Sequence, residues 1–256
     1  MSAAAIYEPS KALHKRVARR IAPFQQKQMV EFNINRPIVS FTFDDCPKSA
    51  VENGLSKLDR LGWKSTIYIA PKLFGTTNHL GLHMDETDVI AAHESGHEIG
   101  GHSFSHMDLS EMPLASVLED IAKNHRAINS LNLPRCRTFA YPYGQTTAAL
   151  KRRLSKEYEG LRGITPGPML GKFDLNQIRS TPLFSGSSFD NLMRQIADIK
   201  DQNGWLSLFT HDIQDSPSKW GCTPDEMDRV IKAVEASGAE VLTVSDAIAK
   251  LRANSV

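Results

Sequence analysis

The chain has 256 residues, with 30 Lys+Arg against 29 Asp+Glu and a formal net charge of +1. That balance excludes a nucleic-acid binder driven by counterion release, which needs a strong basic surplus. Hydrophobic residues at 41 % and charged residues at 23 % exclude wholesale disorder. The three cysteines, Cys46, Cys136 and Cys222, are odd in number and far apart. They form neither a disulfide framework nor a zinc-ribbon spacing, and a reducing compartment is expected. No apolar run is long enough to span a membrane, and residues 1–23 lack a secretory signal's apolar stretch, so a cytoplasmic location is expected.

In chain order, Ser10–Ala22 reads as a helix, with Ser10 as N-cap and Pro23 as stop. Leu13, Val17, Ile21 and Phe24 share one face, while Lys11, Lys15, Arg16, Arg19 and Arg20 lie largely elsewhere. A basic amphipathic helix of this kind can rest peripherally on an anionic membrane. Its apolar face is small, and docking on the main domain or a partner subunit is the favoured expectation. From Arg36 onward, apolar β-rich runs alternate with helical patterns. Strands are expected at Ile38–Phe43, Ser65–Ala70, Glu98–Gly101, Thr138–Tyr141, Gly160–Ile164, Ile178–Phe184, Trp205–Thr210 and Glu240–Thr243. Helices are expected near Ser49–Leu61, Thr87–Ser95, Leu114–Leu131, Thr147–Lys156, Phe189–Lys200, Pro224–Ala236 and Ser245–Ala253. Thr223, Pro224 and Glu226 form a capping-box start for one of them. Such alternation with fully apolar strands implies an α/β fold, a closed or nearly closed parallel (β/α) barrel.

Barrel enzymes place their chemistry at the C-terminal strand ends. Those ends here carry Asp44–Asp45, His102 to His106, Pro142-Tyr143-Gly144 and His211–Asp212. Two adjacent buried carboxylates disfavour joint ionisation, and a divalent cation would relieve that. Asp45, His102 and His106 would supply three ligands and leave one position open, the pattern of a catalytic zinc site, with Asp44 free to act as base. His102 and His106 are read as i, i+4 on a helical turn.

Two other His-x-x-x-His pairs compete. His93-Glu94-Ser95-Gly96-His97 matches the zincin peptidase pattern, but Gly96 and the following Gly100–Gly101 imply that the helix stops before His97. His79 and His83 lie in a polar loop and read as surface or rim residues.

Thr42-Phe43-Asp44-Asp45, His102-Ser103-x-x-His106, Tyr141-Pro142-Tyr143-Gly144 and Leu208-Phe209-Thr210-His211, in that order, resemble the polysaccharide deacetylases with a NodB-homology domain, a carbohydrate esterase family. The resemblance implies a distorted (β/α) barrel of about seven strands over 37–256, preceded by a basic extension over 1–36. It implies hydrolysis of N-acetyl groups on an N-acetylated amino-sugar polymer. Asp44 would be the base, Asp45, His102 and His106 the metal ligands, the Tyr143 backbone N–H an oxyanion donor and His211 the general acid. Tyr141 and Pro142 would border the substrate. Zinc is the expected metal, with cobalt, nickel or manganese as substitutes. The chain departs from the family in Cys46, where Gly is common after the Asp pair, and in Ala140, where an Arg often holds the base. Arg179 is a candidate replacement for that charge, with an ordinary surface ion pair an equal expectation. No Asp-x-x-x-Trp motif is evident to orient His211. These departures point to the branch acting on poly-N-acetylglucosamine-like exopolysaccharides or adhesins. The competing functions are the zincin and a non-catalytic glycan-binding relic.

Overall fold

A computed structural model describes residues 12–255. Seven parallel strands follow one hydrogen-bonded path: Thr181–Pro182, Trp205–Thr210, Ile38–Asp44, Thr66–Ile69, Glu98–Gly101, Thr138–Ala140 and Gly160–Arg162. Glu240–Val241 pairs in parallel beside Ile38–Val39. The two ends of the path meet at a single parallel bridge, Arg162 to Ile178. The architecture is therefore a distorted (β/α) barrel.

Every residue of Ile38–Asp44 is buried, as expected of a strand covered on both faces. Trp205 lies fully buried beside it and satisfies its indole N–H at Ser40 Oγ, 2.9 Å away. The helical segment Lys48–Arg60 packs against this strand and widens to a π-turn over Val51–Leu55. A Cβ on Gly54 would meet Ile213 Cδ1 at 2.8 Å and Phe43 Cε1 at 2.9 Å, so only glycine lets the helix approach so closely. The capping box at Thr223 and Glu226 forms as expected, and Asp85 and Asp88 make a second one before Glu86–Glu94.

Two expectations need correction, and two strand pairs are additional. The run Ile178–Phe184 is a strand only at Thr181–Pro182, because it crosses the seam: Ile178 bridges Arg162 on one edge and Thr181–Pro182 pairs with Leu208–Phe209 on the other. Two short antiparallel pairs, Met29–Glu31 with Lys172–Asp174 and Thr77–Asn78 with Gly81–Leu82, are too brief to leave an alternating pattern. The N-terminal helix spans Leu13–Ile21, and Ser10 lies outside the described residues. Its apolar stripe does not dock on the barrel: Leu13 is 74 % and Phe24 71 % exposed. The anchor lies further along, where Met29–Glu31 joins its antiparallel partner and Phe32 and Ile34 enter a core cluster with Trp205 and Ile248. No helix among the described residues is long and apolar enough to cross a membrane.

Candidate metal-dependent active site

Asp44 ends the first barrel strand. Asp45 and Cys46 follow in the left-handed region, at φ 58° and 52°, and reverse the chain over the strand end. That backbone suits glycine, which accounts for the residue family members often carry after the Asp pair. Cys46 adopts it with a buried thiol whose pKa burial pushes up, the condition of an inert side chain rather than a ligand.

His102 to His106 do not form a helical turn. Ser103 and His106 have φ 61° and 51°, and side chains of the helix Leu114–Ser130 hold the loop. Asp120 accepts from the backbone N–H of Phe104 at 2.8 Å, and Asn124 donates to Ser103 O at 2.9 Å. These polar partners answer backbone groups that a helix would otherwise pair internally, so the histidines converge through tertiary contacts.

One nitrogen, Asp45 Oδ1 and another nitrogen then meet. His106 Nε2 lies 3.1 Å from Asp45 Oδ1 and His102 Nε2 lies 3.7 Å from it. The Nδ1 of His102 is 2.8 Å from Ala140 O, and a carbonyl only accepts, so Nδ1 carries the proton and Nε2 presents a lone pair. Burial lowers the pKa of His102 to about 3 and that of His106 to about 4, which keeps both rings neutral. Asp45 Oδ1 is buried with no hydrogen-bond partner, and burial pushes its carboxyl up to about 7. Two imidazole nitrogens beside an unanswered buried carboxylate oxygen make a donor set that could hold a divalent cation. Asp45, His102 and His106 are the one such group among the described residues.

The missing Arg at position 140 is replaced from another strand. Arg162, fully buried at the end of Gly160–Arg162, donates Nη2 to both oxygens of Asp44 at 2.5 Å. Its guanidinium lies between the Tyr68 and Phe209 rings, 5.1 Å from each centroid. Burial opposes ionisation of Asp44, but the Arg162 guanidinium against both of its oxygens outweighs it and holds the carboxyl below its usual range. Arg179 does not reach Asp44, and its guanidinium instead donates to Pro166 O. The only sequence signal for Arg162 was a cation inside an apolar strand run.

Tyr143 sits in a tight turn at φ 57°, with its ring 4.7 Å from that of His106 and its hydroxyl donating to His106 O at 3.2 Å. Pro142 is buried at the start of that turn, and Tyr141, also buried, donates its hydroxyl to Asn176 O at 3.1 Å. His211 Nδ1 is 3.1 Å from Trp220 O, so Nδ1 carries a proton and Nε2 is the nitrogen left for exchange. This carbonyl supplies the orienting partner that no sequence motif announced.

Asp44, Asp45, His102, His106, Tyr141, Tyr143 and His211 line one cleft of about 610 Å³. Of the two histidines expected at the surface or rim, one is there and one is buried. His79 lies at the rim, its ring 5.2 Å from that of Trp220, but His83 is 1 % exposed and neither ring nitrogen is hydrogen-bonded. The hairpin carrying it folds onto the Cys46–Pro47 turn, with Met84 N donating to Cys46 O at 2.9 Å. The zincin set is not assembled. The helix ends at Glu94, Gly96 turns the chain at φ 94°, and His97 Nδ1 is 2.9 Å from Ser65 Oγ.

Residues 33–159 match the family model for polysaccharide deacetylase. Among curated proteins, the chain is 29 % identical over 85 residues to a probable peptidoglycan-N-acetylglucosamine deacetylase of Arthroderma benhamiae, covering 33 % of this chain and 18 % of that protein. It is 29 % identical over 112 residues to a chitin deacetylase of a Pestalotiopsis species, covering 43 % of this chain and 35 % of that protein. The chain thus spans about a fifth and about a third of these relatives' lengths. Among solved structures, the Xyl-CE4 domain of a multidomain xylanase from the hindgut metagenome of Trinervitermes trinervoides aligns at TM-score 0.60 and 20 % identity, covering 84 % of this chain and 91 % of that one, and shows the shared barrel. The family match spans the strand ends that carry the Asp pair, His102, His106 and Tyr143, and over these residues the chain is similar to the polysaccharide deacetylase family.

Proposed function

We propose that the chain is a metal-dependent hydrolase that removes N-acetyl groups from an N-acetylglucosamine-type polysaccharide, with an exopolysaccharide or adhesin as the polymer. The observation that carries this reading is Asp45 Oδ1, buried and unanswered between two neutral imidazoles, next to a second carboxylate held ionised by Arg162. The names of the two curated relatives, both deacetylases of amino-sugar polymers, support the substrate class.

Asp45, His102 and His106 would hold the cation, with zinc first by donor set and cobalt, nickel or manganese able to serve. When bound, it supplies Lewis acidity and a nucleophile at neutral pH. Asp44, ionised against Arg162, accepts the proton of the attacking water. Arg162 is a positioning residue, since it acts through Asp44. The backbone N–H of Tyr143 donates to the acetyl oxygen as negative charge develops, a contribution typically of about 3–4 kcal/mol. His211 donates from Nε2 to the leaving amine, with its ring aligned by the Nδ1–H to Trp220 O.

The test is acetate release from N-acetylglucosamine oligosaccharides by chelator-treated protein, before and after zinc is restored, in wild type and Asp44→Asn. The expected result is activity only with metal, and a loss on the order of 10²–10⁴-fold in Asp44→Asn at unchanged metal content. Full turnover in metal-free protein, or in the variant, overturns the reading.

A further inference from the structure

A smaller trench of about 300 Å³ opens off the cleft, sharing Gly144, Gln145 and Ile164 with it. Its far wall is the N-terminal helix, which contributes Arg16, Arg19 and Arg20. That wall is fastened to the barrel. Lys151, its side chain fully buried, donates to Ala22 O and Pro23 O and pairs with Asp174 at 3.4 Å. Asn176 Nδ2 donates to Gln26 O at 2.7 Å, and Arg19 pairs with Glu111 at 3.5 Å. Neither Arg16 nor Arg20 has an ion-pair partner among the described residues. From the barrel side Gln177 enters the trench, only 9 % exposed, with Oε1 buried and unbonded.

Two uncompensated guanidinium forks and an unanswered amide oxygen call for different groups on one ligand. Guanidinium forks match carboxylate or phosphate oxygens. A buried amide oxygen calls for a hydroxyl donor. A sugar carrying an acid offers both, and the trench volume lies at the small end of ordinary ligand sites, about 300–1,000 Å³. A neutral amino-sugar chain would leave the arginines unanswered. A bare anion would leave Gln177 unanswered.

We propose that the trench is a subsite for an acidic sugar residue of the glycan whose acetamido group occupies the main cleft, with Arg16 and Arg20 receiving its carboxylate or phosphate and Gln177 one of its hydroxyls. This rests on the deacetylase reading of the main cleft and adds a charge requirement to its substrate. The arginines are exposed, so their contribution weakens as salt rises.

The experiment uses zinc-loaded full-length protein and three oligosaccharides of equal length that each contain N-acetylglucosamine. One is neutral, one has a neighbouring uronate and one a neighbouring phosphosugar. Acetate release is followed for wild type and for the double variant Arg16→Gln, Arg20→Gln. Wild type is expected to favour at least one acidic chain over the neutral one by about tenfold in kcat/KM, through KM, with the preference shrinking in high salt. In the double variant that ratio falls toward one. The uronate and phosphosugar arms identify which acid is read. Acetate from the neutral chain with no acidic preference, or an unchanged ratio in the variant, overturns the subsite alone. No acetate from any of the three overturns the deacetylase reading and the subsite with it.

Discussion

Two carboxylates at opposite ends of the barrel differ in how their oxygens are answered. Glu98 begins the strand that leads into His102, and its oxygens accept from Thr66 Oγ1 at 2.8 Å, Ser245 N at 2.9 Å and Thr138 Oγ1 at 2.7 Å. Asp45, at the mouth, keeps Oδ1 buried and unbonded with two imidazole nitrogens beside it. Burial raises the pKa of both groups, so desolvation alone does not separate them. The difference lies in the partners. Neutral donors from several elements complete Glu98 and tie strand ends together, a structural arrangement. Asp45 instead meets two imidazole nitrogens, a group that could hold a metal ion.

The largest effect is expected from removing one of those imidazoles. His106→Ala should lower bound zinc, measured by elemental analysis, to below about a tenth of wild type and abolish acetate release. Stoichiometric zinc in the folded variant would break the contrast with Glu98.

Next comes Arg162→Met, which leaves Asp44 buried without its cation. Destabilisation of about 3–5 kcal/mol is expected in urea unfolding. In protein that remains folded, the acid limb of kcat/KM should move to higher pH, because Arg162 is what lowers the Asp44 pKa. An acid limb that stays in place would make Arg162 a packing residue only.

A pH series on metal-free protein gives a smaller effect. Burial lowers His102 to about 3 and His83 and His106 to about 4, from an ordinary 6.5. Between about pH 6.5 and about 4 the unfolded chain therefore binds more protons at these three sites, and their contribution to stability falls as pH falls. Asp45, raised to about 7, has the opposite sign over part of that window but is one group against three. The urea midpoint should drop on acidification through this range, and His83→Phe should flatten the slope. A midpoint that rises toward pH 4 would contradict the assignment of neutral imidazoles.

The smallest functional effect is expected from Glu98→Gln. The amide keeps one acceptor and sets a donor against the hydroxyl and N–H groups around it, for a loss of about 1–3 kcal/mol in stability. Zinc content and kcat should be unchanged. A fall in zinc content would mean that the two ends of the barrel are coupled.

Much of the candidate site was legible because its residues follow strand ends, and strand ends follow from local apolar runs. Asp44, Asp45, His102, His106 and His211 all sit where a barrel gathers side chains. What the pattern misread was local geometry. A His-x-x-x-His spacing reads as a helical turn until Asp120 and Asn124, on a neighbouring helix, hold the segment as a loop. His83 read as a rim residue because nothing in a short polar run predicts a hairpin folding it over Cys46–Pro47.

The sequence by itself determined the alternation of strands and helices, the Asp pair and the order of the histidine motifs, since these depend on propensity, period and neighbours a few residues apart. Only the tertiary structure decided which charge faces which. Arg162 reaches Asp44 across 118 positions because the barrel brings distant strand ends to one mouth. The Ala140 carbonyl sets the proton on His102, and the Trp220 carbonyl sets the one on His211, and no side-chain pattern reports where a backbone oxygen will point. The N-terminal arginines face a trench because a buried lysine holds the carbonyls that follow their helix. A charge in solution is screened and unspecific, and it gains a defined partner only where the fold excludes water and holds the geometry.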